Sequence, residues 1–245
     1  MLKKEPDFLK TLIKKSSKLI PILDDISKVE YNTEIDLGAN LIHYIFQNAE
    51  KININLNRLL VYVNSNLIAK NIQVKKAFLS LIDAGLLVPA FSLTRMAYEH
   101  WAASVYLNEK LIDYLKNRNE GKFHKISDRL FTGARYPVSL PWGEPSTEEP
   151  IHIKDMLREL EKTHQTTSDD YNFLCEFAHP NCLYNLYSVM ASIYWHDNPI
   201  FEKDRINELE KQFTLMLTSL KGIKSASNCI LTNIANEYNV NISHV

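Results

Sequence analysis

Glycine is scarce in this chain: six in 245 residues, where an average share of about 7% would supply roughly 17. The shortage excludes whole classes of site. There is no G-x-G, hence no Rossmann fingerprint, and no G-x-x-x-x-G-K-[ST] to cradle a nucleotide phosphate. There is no G-x-S-x-G nucleophile elbow either. An all-β sandwich or barrel needs many tight turns, and too few glycines are present to build them. Cysteine is equally sparse. Cys175, Cys182 and Cys229 are an odd number with no C-x-x-C pair, which supports neither a disulfide framework nor a zinc knuckle. Reduced thiols in a cytoplasm are the expectation. Net charge is nearly absent, with 28 Lys and Arg against 29 Asp and Glu. A general basic field for duplex DNA is therefore not expected. Long apolar runs are missing too. The most apolar stretch, 79–93, is broken by Asp83, Gly85 and Pro89, and is too short to span a bilayer. The lysine-bearing N-terminus has no unbroken apolar core and no small-residue cleavage site, so no signal peptide is expected.

What is present is helical periodicity. Residues 7–28 place Phe8, Leu12, Leu19, Ile22, Leu23 and Ile26 on one face and Lys10, Lys14, Lys15 and Lys18 on the other. Pro21 is expected to kink or split this helix. Thr33-x-x-Asp36 resembles a capping box opening the next one. The stripe from Leu37 to about Ile68 predicts one long helix, or two with a break near Lys51–Asn55. A helix over about 72–84 should end at Gly85, and Pro89 suits the first turn of a helix over 88–117. In that helix Phe91, Tyr98, Trp101, Val105, Ile112 and Leu115 form the expected apolar face.

Between 118 and 150 the composition changes. Gly121, Gly133 and Gly143 fall here with Pro137, Pro141, Pro145 and Pro150. A long ordered loop with one short helix near 123–130 is predicted, anchored by Phe131, Tyr136, Leu140 and Trp142. Helices resume at about 151–164 and 168–179, and 183–196 reads as a buried helix or a short hairpin. Asn198-Pro199 marks a last start. From there Ile206, Leu209, Phe213, Met216, Leu220, Ile223, Ile230 and Ile234 recur in steps of three and four, interrupted at Ser227. Such a seam serves either as the central strut of the chain's own bundle or as a helix pair between subunits or with a partner helix. The expectation is one all-α domain, a bundle of seven to nine helices with a long loop over 118–150.

The polar residues of interest are few. Arg95 and Glu99 lie four apart and share a helix face with the small residues Ser92 and Ala102. The order is the weaker one, since Glu before Arg suits a helix better. This pair is an ordinary ion pair or the floor of a pocket. In Cys175-Glu176-Phe177-Ala178-His179-Pro180, the proline should end the helix near His179. A histidine there either caps the helix or faces Arg95 and Glu99, with Glu99 orienting it and Arg95 holding an anion. Cys175, one turn earlier, is a buried thiol or the partner of a Cys–His nucleophile pair. His196-Asp197 and His152-x-x-Asp155 each offer two metal ligands without a third at a recognised spacing, so no metal or cofactor is expected. Trp142 either stacks a ligand or pins its loop.

The segment Arg95-Met-Ala-Tyr-Glu99-His100, followed by a helix ending in Ala178-His179-Pro180, resembles bacterial helical domains related to the HEPN superfamily. Arg95 and His100 match its R-x4-6-H pattern. Arg95, Glu99 and His179 match an R-x-x-x-E helix paired with a later helix ending in a small-residue–His step. The resemblance implies a metal-independent ribonuclease of toxin or antiviral-defence type, active at a dimer interface. In it, arginine and histidine promote attack of a ribose 2′-hydroxyl on the adjacent phosphate. Met96 stands where active members carry a polar residue. A looser resemblance to bacterial proteins with a Gly-x-Arg loop singles out Gly133-Ala134-Arg135, with Arg135 as an anion ligand. Two further readings stay open: a non-catalytic dimerisation or partner-binding module using 206–234, and a small-anion or nucleotide sensor using Arg95 and Arg135.

Overall fold

A computed structural model of the chain describes residues 11–48, 53–133, 148–178 and 199–240. Every regular element among them is a helix: α1 Leu19–Lys28, α2 Asn32–Gln47, α3 Ile54–Tyr62, a π-helical stretch Val63–Ala69, α4 Lys70–Ala84, α5 Leu87–Asn117, α6 Glu120–Thr132, α7 Ile153–Glu161, α8 Thr167–Ala178 and α9 Pro199–Glu237. The protein is an all-α helical bundle. None of these helices is long and apolar enough to cross a membrane. The expected segment 183–196 and most of the loop after Gly133 lie outside the described residues.

The chain divides into two compact units, each assembled from three separate stretches: Met1–Glu30, Asn71–Glu99 and Gln165–Gly222 in the first, and Tyr31–Lys70, His100–His164 and Ile223–Val245 in the second. Two of the boundaries fall inside α5 and α9, and a third at the start of α4. No Pro/Gly-rich linker marks them, which is why hydrophobic pattern alone reads the chain as one domain.

In the first unit the break near the N-terminus sits at residues 16–18, ahead of Pro21. The proline then occupies the first turn of α1, where a missing N–H costs nothing. Lys75 of α4 donates to the carbonyls of Ser27 (3.1 Å) and Val29 (2.6 Å). A cation thus satisfies carbonyls left open at the end of α1. Gly85 ends α4 as expected, with φ 78°. The N–H groups of Gly85 and Leu86 return to Ile82 and Leu81, a closure that needs the left-handed region glycine enters freely. The core contains Phe78, Phe91, Tyr98, Leu174, Phe177, Leu209, Phe213 and Met216, all at most 1% exposed. Phe78 meets Phe213 edge-on at 5.7 Å, and Phe91 meets Phe177 at 5.0 Å.

In the second unit α2 starts one residue before Thr33, and Tyr31 at its N-cap makes no side-chain capping bond, so the capping box does not form. The break falls after Asn48, and Asn53 opens α3 by accepting from the N–H groups of Asn55 and Leu56. The "two helices" alternative is the observed one, and the second runs on through the π stretch into α4. Gly38 of α2 lies so close to Asn64 that a Cβ there would sit 2.0 Å from the Asn64 amide oxygen. A side chain at position 38 would therefore require the Asn64 amide to move.

The segment after α5 differs from expectation. Instead of a short helix in a loop, α6 runs from Glu120 to Thr132 and takes in Gly121. Asn119 caps it by accepting from Lys122 N–H at 3.0 Å. In α5 the apolar register also shifts toward its end. Ile112 is 42% exposed, while Leu111 and Tyr114 are buried and Tyr114 stacks on Phe123 at 4.4 Å. The seam of α9 is covered within the chain. Leu209, Phe213, Met216, Leu220, Ile223, Ser227, Ile230 and Ile234 are all 0% exposed. That favours the strut reading from Leu209 onward, while Ile206 at the start of the seam is half-buried.

Candidate functional site

Arg95 and Glu99 stand on successive turns of α5, within the first unit. Arg95 Nε donates to Glu99 Oε1 at 2.9 Å. An arginine four residues ahead of a glutamate gains little from the helix itself. The pair is completed from α8: Arg95 Nη2 donates to Tyr171 Oη at 3.1 Å, and Tyr171 Oη donates to Glu99 Oε1 at 3.0 Å. The guanidinium carbon also lies 5.4 Å from the centre of the Tyr171 ring, within cation–π range. The three side chains form a closed, hydrogen-bonded ring. It is open to water on one side, with Arg95 27% and Glu99 34% exposed.

The electrostatics follow from this geometry. Burial raises the Tyr171 phenol to about 12, aided by the adjacent Glu99 carboxylate, so the phenol keeps its proton and remains a donor. Burial opposes the Arg95 charge, but the Tyr171 hydrogen bond and Glu99 outweigh it and the guanidinium is held cationic. Cys175, one turn after Tyr171, is partly buried. Burial pushes its thiol up, against the pull of the Arg95 charge. A protonated thiol is a poor nucleophile, so the surroundings favour the inert reading of Cys175.

Of the other residues singled out by sequence, His179, Arg135 and Trp142 lie outside the described residues, as does His196-Asp197. Ser92 turns its hydroxyl back to the Val88 carbonyl at 3.2 Å, and Ala102 is fully buried. His152 caps α7, its Nδ1 accepting from Lys154 N–H at 3.1 Å.

His100 follows Glu99 in sequence but not in face. Five residues of α-helix amount to a rotation of about 140° from Arg95. Burial, reinforced by Lys70, lowers the imidazole to about 4, so it is neutral at neutral pH. The sign of the resulting pH effect is fixed. Between pH 6.5 and 4 the unfolded chain binds a proton at His100 that the folded chain refuses. Stability is therefore full above the unfolded value and falls as pH drops through this window, by up to about 3 kcal/mol. Urea unfolding at pH 7 and pH 4.5 is expected to show the loss, and His100→Gln is expected to shrink it. An unchanged pH slope in that variant would refute the assignment.

Tyr171 is the member of the cluster that the sequence reading missed. Its signal was spacing: Tyr171, Cys175 and His179 recur every four residues, the period of one helix face. Comparison with family models, with curated proteins and with solved structures gave no match for this chain.

Proposed function

We propose that the protein is a HEPN-like, metal-independent ribonuclease of the toxin or antiviral-defence kind, acting in the cytoplasm on RNA. The observation that carries the reading is the Arg95–Glu99–Tyr171 ring. It joins the R-x-x-x-E segment of α5 to α8, the helix whose sequence leads into Ala178-His179-Pro180. Contact between these two helices supports the reading. Nothing among the described residues engages Arg95 Nη1, so the guanidinium has donors left for a phosphodiester oxygen.

In this reading Arg95 grips the scissile phosphate and stabilises charge gathering on it. His179 takes the proton of the 2′-hydroxyl as its oxygen attacks phosphorus. The bond to the 5′-oxygen breaks, and that oxygen takes a proton from water as it leaves. The products are a 2′,3′-cyclic phosphate and a 5′-hydroxyl. Glu99 holds Arg95 rather than the proton. His100, neutral and on another face of α5, contributes packing. Free cysteines Cys175 and Cys229 suit a reducing cytoplasm.

The test is cleavage of a labelled single-stranded RNA with a chelator present, with the ends of the products identified. Wild type is expected to cut, while Arg95→Ala and His179→Ala lose at least about 100-fold, the scale of one electrostatic or acid–base contribution. Undiminished cutting by Arg95→Ala would sink the proposal.

A further inference from the structure

The ring occupies one particular edge of Arg95. A guanidinium has two edges that can meet an anion with paired donors: Nε with Nη2 along its side, and Nη1 with Nη2 at its end. Here Nε is taken by Glu99 and Nη2 by Tyr171. Tyr171 Oη itself bonds to the Glu99 oxygen that Nε reaches, so both acceptors lie along the side edge. Among the described residues the end edge keeps both hydrogens of Nη1 and one of Nη2. No hydrogen bond among the described residues reaches Nη1, and Arg95 is 27% exposed.

From this we infer that the end edge of Arg95 is a fixed, two-pronged seat for a phosphate oxyanion, and that Tyr171 is the positioning residue that aims it. The inference rests on the reading of Arg95 as the phosphate-binding group. It adds which donors do the binding and what holds them. Glu99 alone leaves the guanidinium free to swing, because a single i,i+4 contact contributes only a few tenths of a kcal/mol. A second anchor from α8, accepting from Nη2 and donating to Glu99, removes that freedom. The ring face of Tyr171 beneath the guanidinium carbon limits its tilt. Tyr171 touches no substrate in this account. It acts through Arg95, and its hydroxyl rather than its ring carries the effect.

The prediction follows from the roles. Tyr171→Phe keeps the ring and loses the two hydrogen bonds. Binding of inorganic phosphate, followed by chemical-shift titration of the Arg95 Nε–H, is expected to weaken at least about tenfold. That is the range of one hydrogen bond to a charged group. The Arg95 Nε–H signal of the free variant is expected to exchange with water faster than in wild type, a readout that fold stability alone does not move. Arg95→Lys keeps the charge without the fork and is expected to lose phosphate binding as well.

On RNA, Tyr171→Phe is expected to raise KM more than it lowers kcat. Wild-type protein that ignores millimolar phosphate, or a Tyr171→Phe variant matching wild type in both phosphate affinity and Nε–H exchange, would overturn the inference. The two levels separate cleanly. Phosphate binding that depends on Tyr171 without any RNA cleavage ends the ribonuclease reading and keeps the seat. RNA cleavage indifferent to Tyr171→Phe ends the positioning role and keeps the ribonuclease.

Discussion

Replacing Arg205 by methionine is expected to destabilise the protein by about 3–5 kcal/mol, the usual result of removing one partner of a buried ion pair. Arg205 and Glu208 sit one turn apart on α9 with side chains only 9% exposed, and Arg205 Nη1 donates to Glu208 Oε2 at 2.6 Å. Glu208 Oε1 has no partner among the described residues, and on the next turn neither amide atom of buried Gln212 has one. Burial already pushes the Glu208 carboxyl up, with Arg205 working against that rise. Without Arg205 the carboxyl rises further, so the sign of the pH effect is clear. The variant's loss is largest above neutral pH, where Glu208 must be charged, and shrinks on acidification as it takes up a proton. Combining Arg205→Met with Glu208→Leu removes both charges and is expected to recover most of the stability. Urea unfolding at pH 8 and pH 5 measures the wild type and both variants. A loss independent of pH, or no recovery in the double variant, would show that Arg205 acts through other contacts.

The second large effect is expected at Phe213. It is 0% exposed and packs edge-on against Phe78, itself 0% exposed. Phe213→Ala removes a whole ring from the first unit's core, and a cost of about 3–5 kcal/mol follows from lost burial plus the cavity left behind. Alanine's better helix propensity returns only about 0.5 kcal/mol. Phe213→Leu keeps most of the volume and is expected to cost well under half as much. Two probes should be followed, because a chain built of two units need not unfold in one step. If Phe213→Ala moves the midpoint no more than Phe213→Leu, the ring pair is not a central contact of this core.

Some of the architecture was legible from composition and period. Few glycines, no long apolar run and repeating three-and-four spacing point to helices, and helices are what form. The helix ends show what the shortage of glycine demands. Gly85 closes α4 in the left-handed region, but Arg118 (φ 53°) closes α5 and Asn239 (φ 53°) closes α9 in the same conformation. Asparagine tolerates it. Arginine does so at a cost, offset here by bonds to Glu237 and a place over the Tyr114 ring. Propensity foresaw Gly85 and could not foresee Arg118, whose hydrogen-bonding partner Glu237 lies 119 positions along the chain.

The candidate site divides in the same way. Spacing placed Arg95 and Glu99 on one face of α5, because four residues nearly complete a helical turn. It equally proposed His100 as their companion, although one more residue turns that side chain away and burial neutralises it. What periodicity lacks is any term for the facing helix. Tyr171 lies 76 positions from Arg95, and nothing local ties one to the other. The sequence by itself therefore determined the fold class, the extents of most helices and the Arg–Glu pair, all properties set within one or two turns. Only the tertiary structure decided which residue closes the ring on Arg95, which of its edges the described residues leave unbonded, and that the apolar seam of α9 is covered from Leu209 on. Those depend on packing between segments distant in sequence, where shape and burial rather than local period choose the partner.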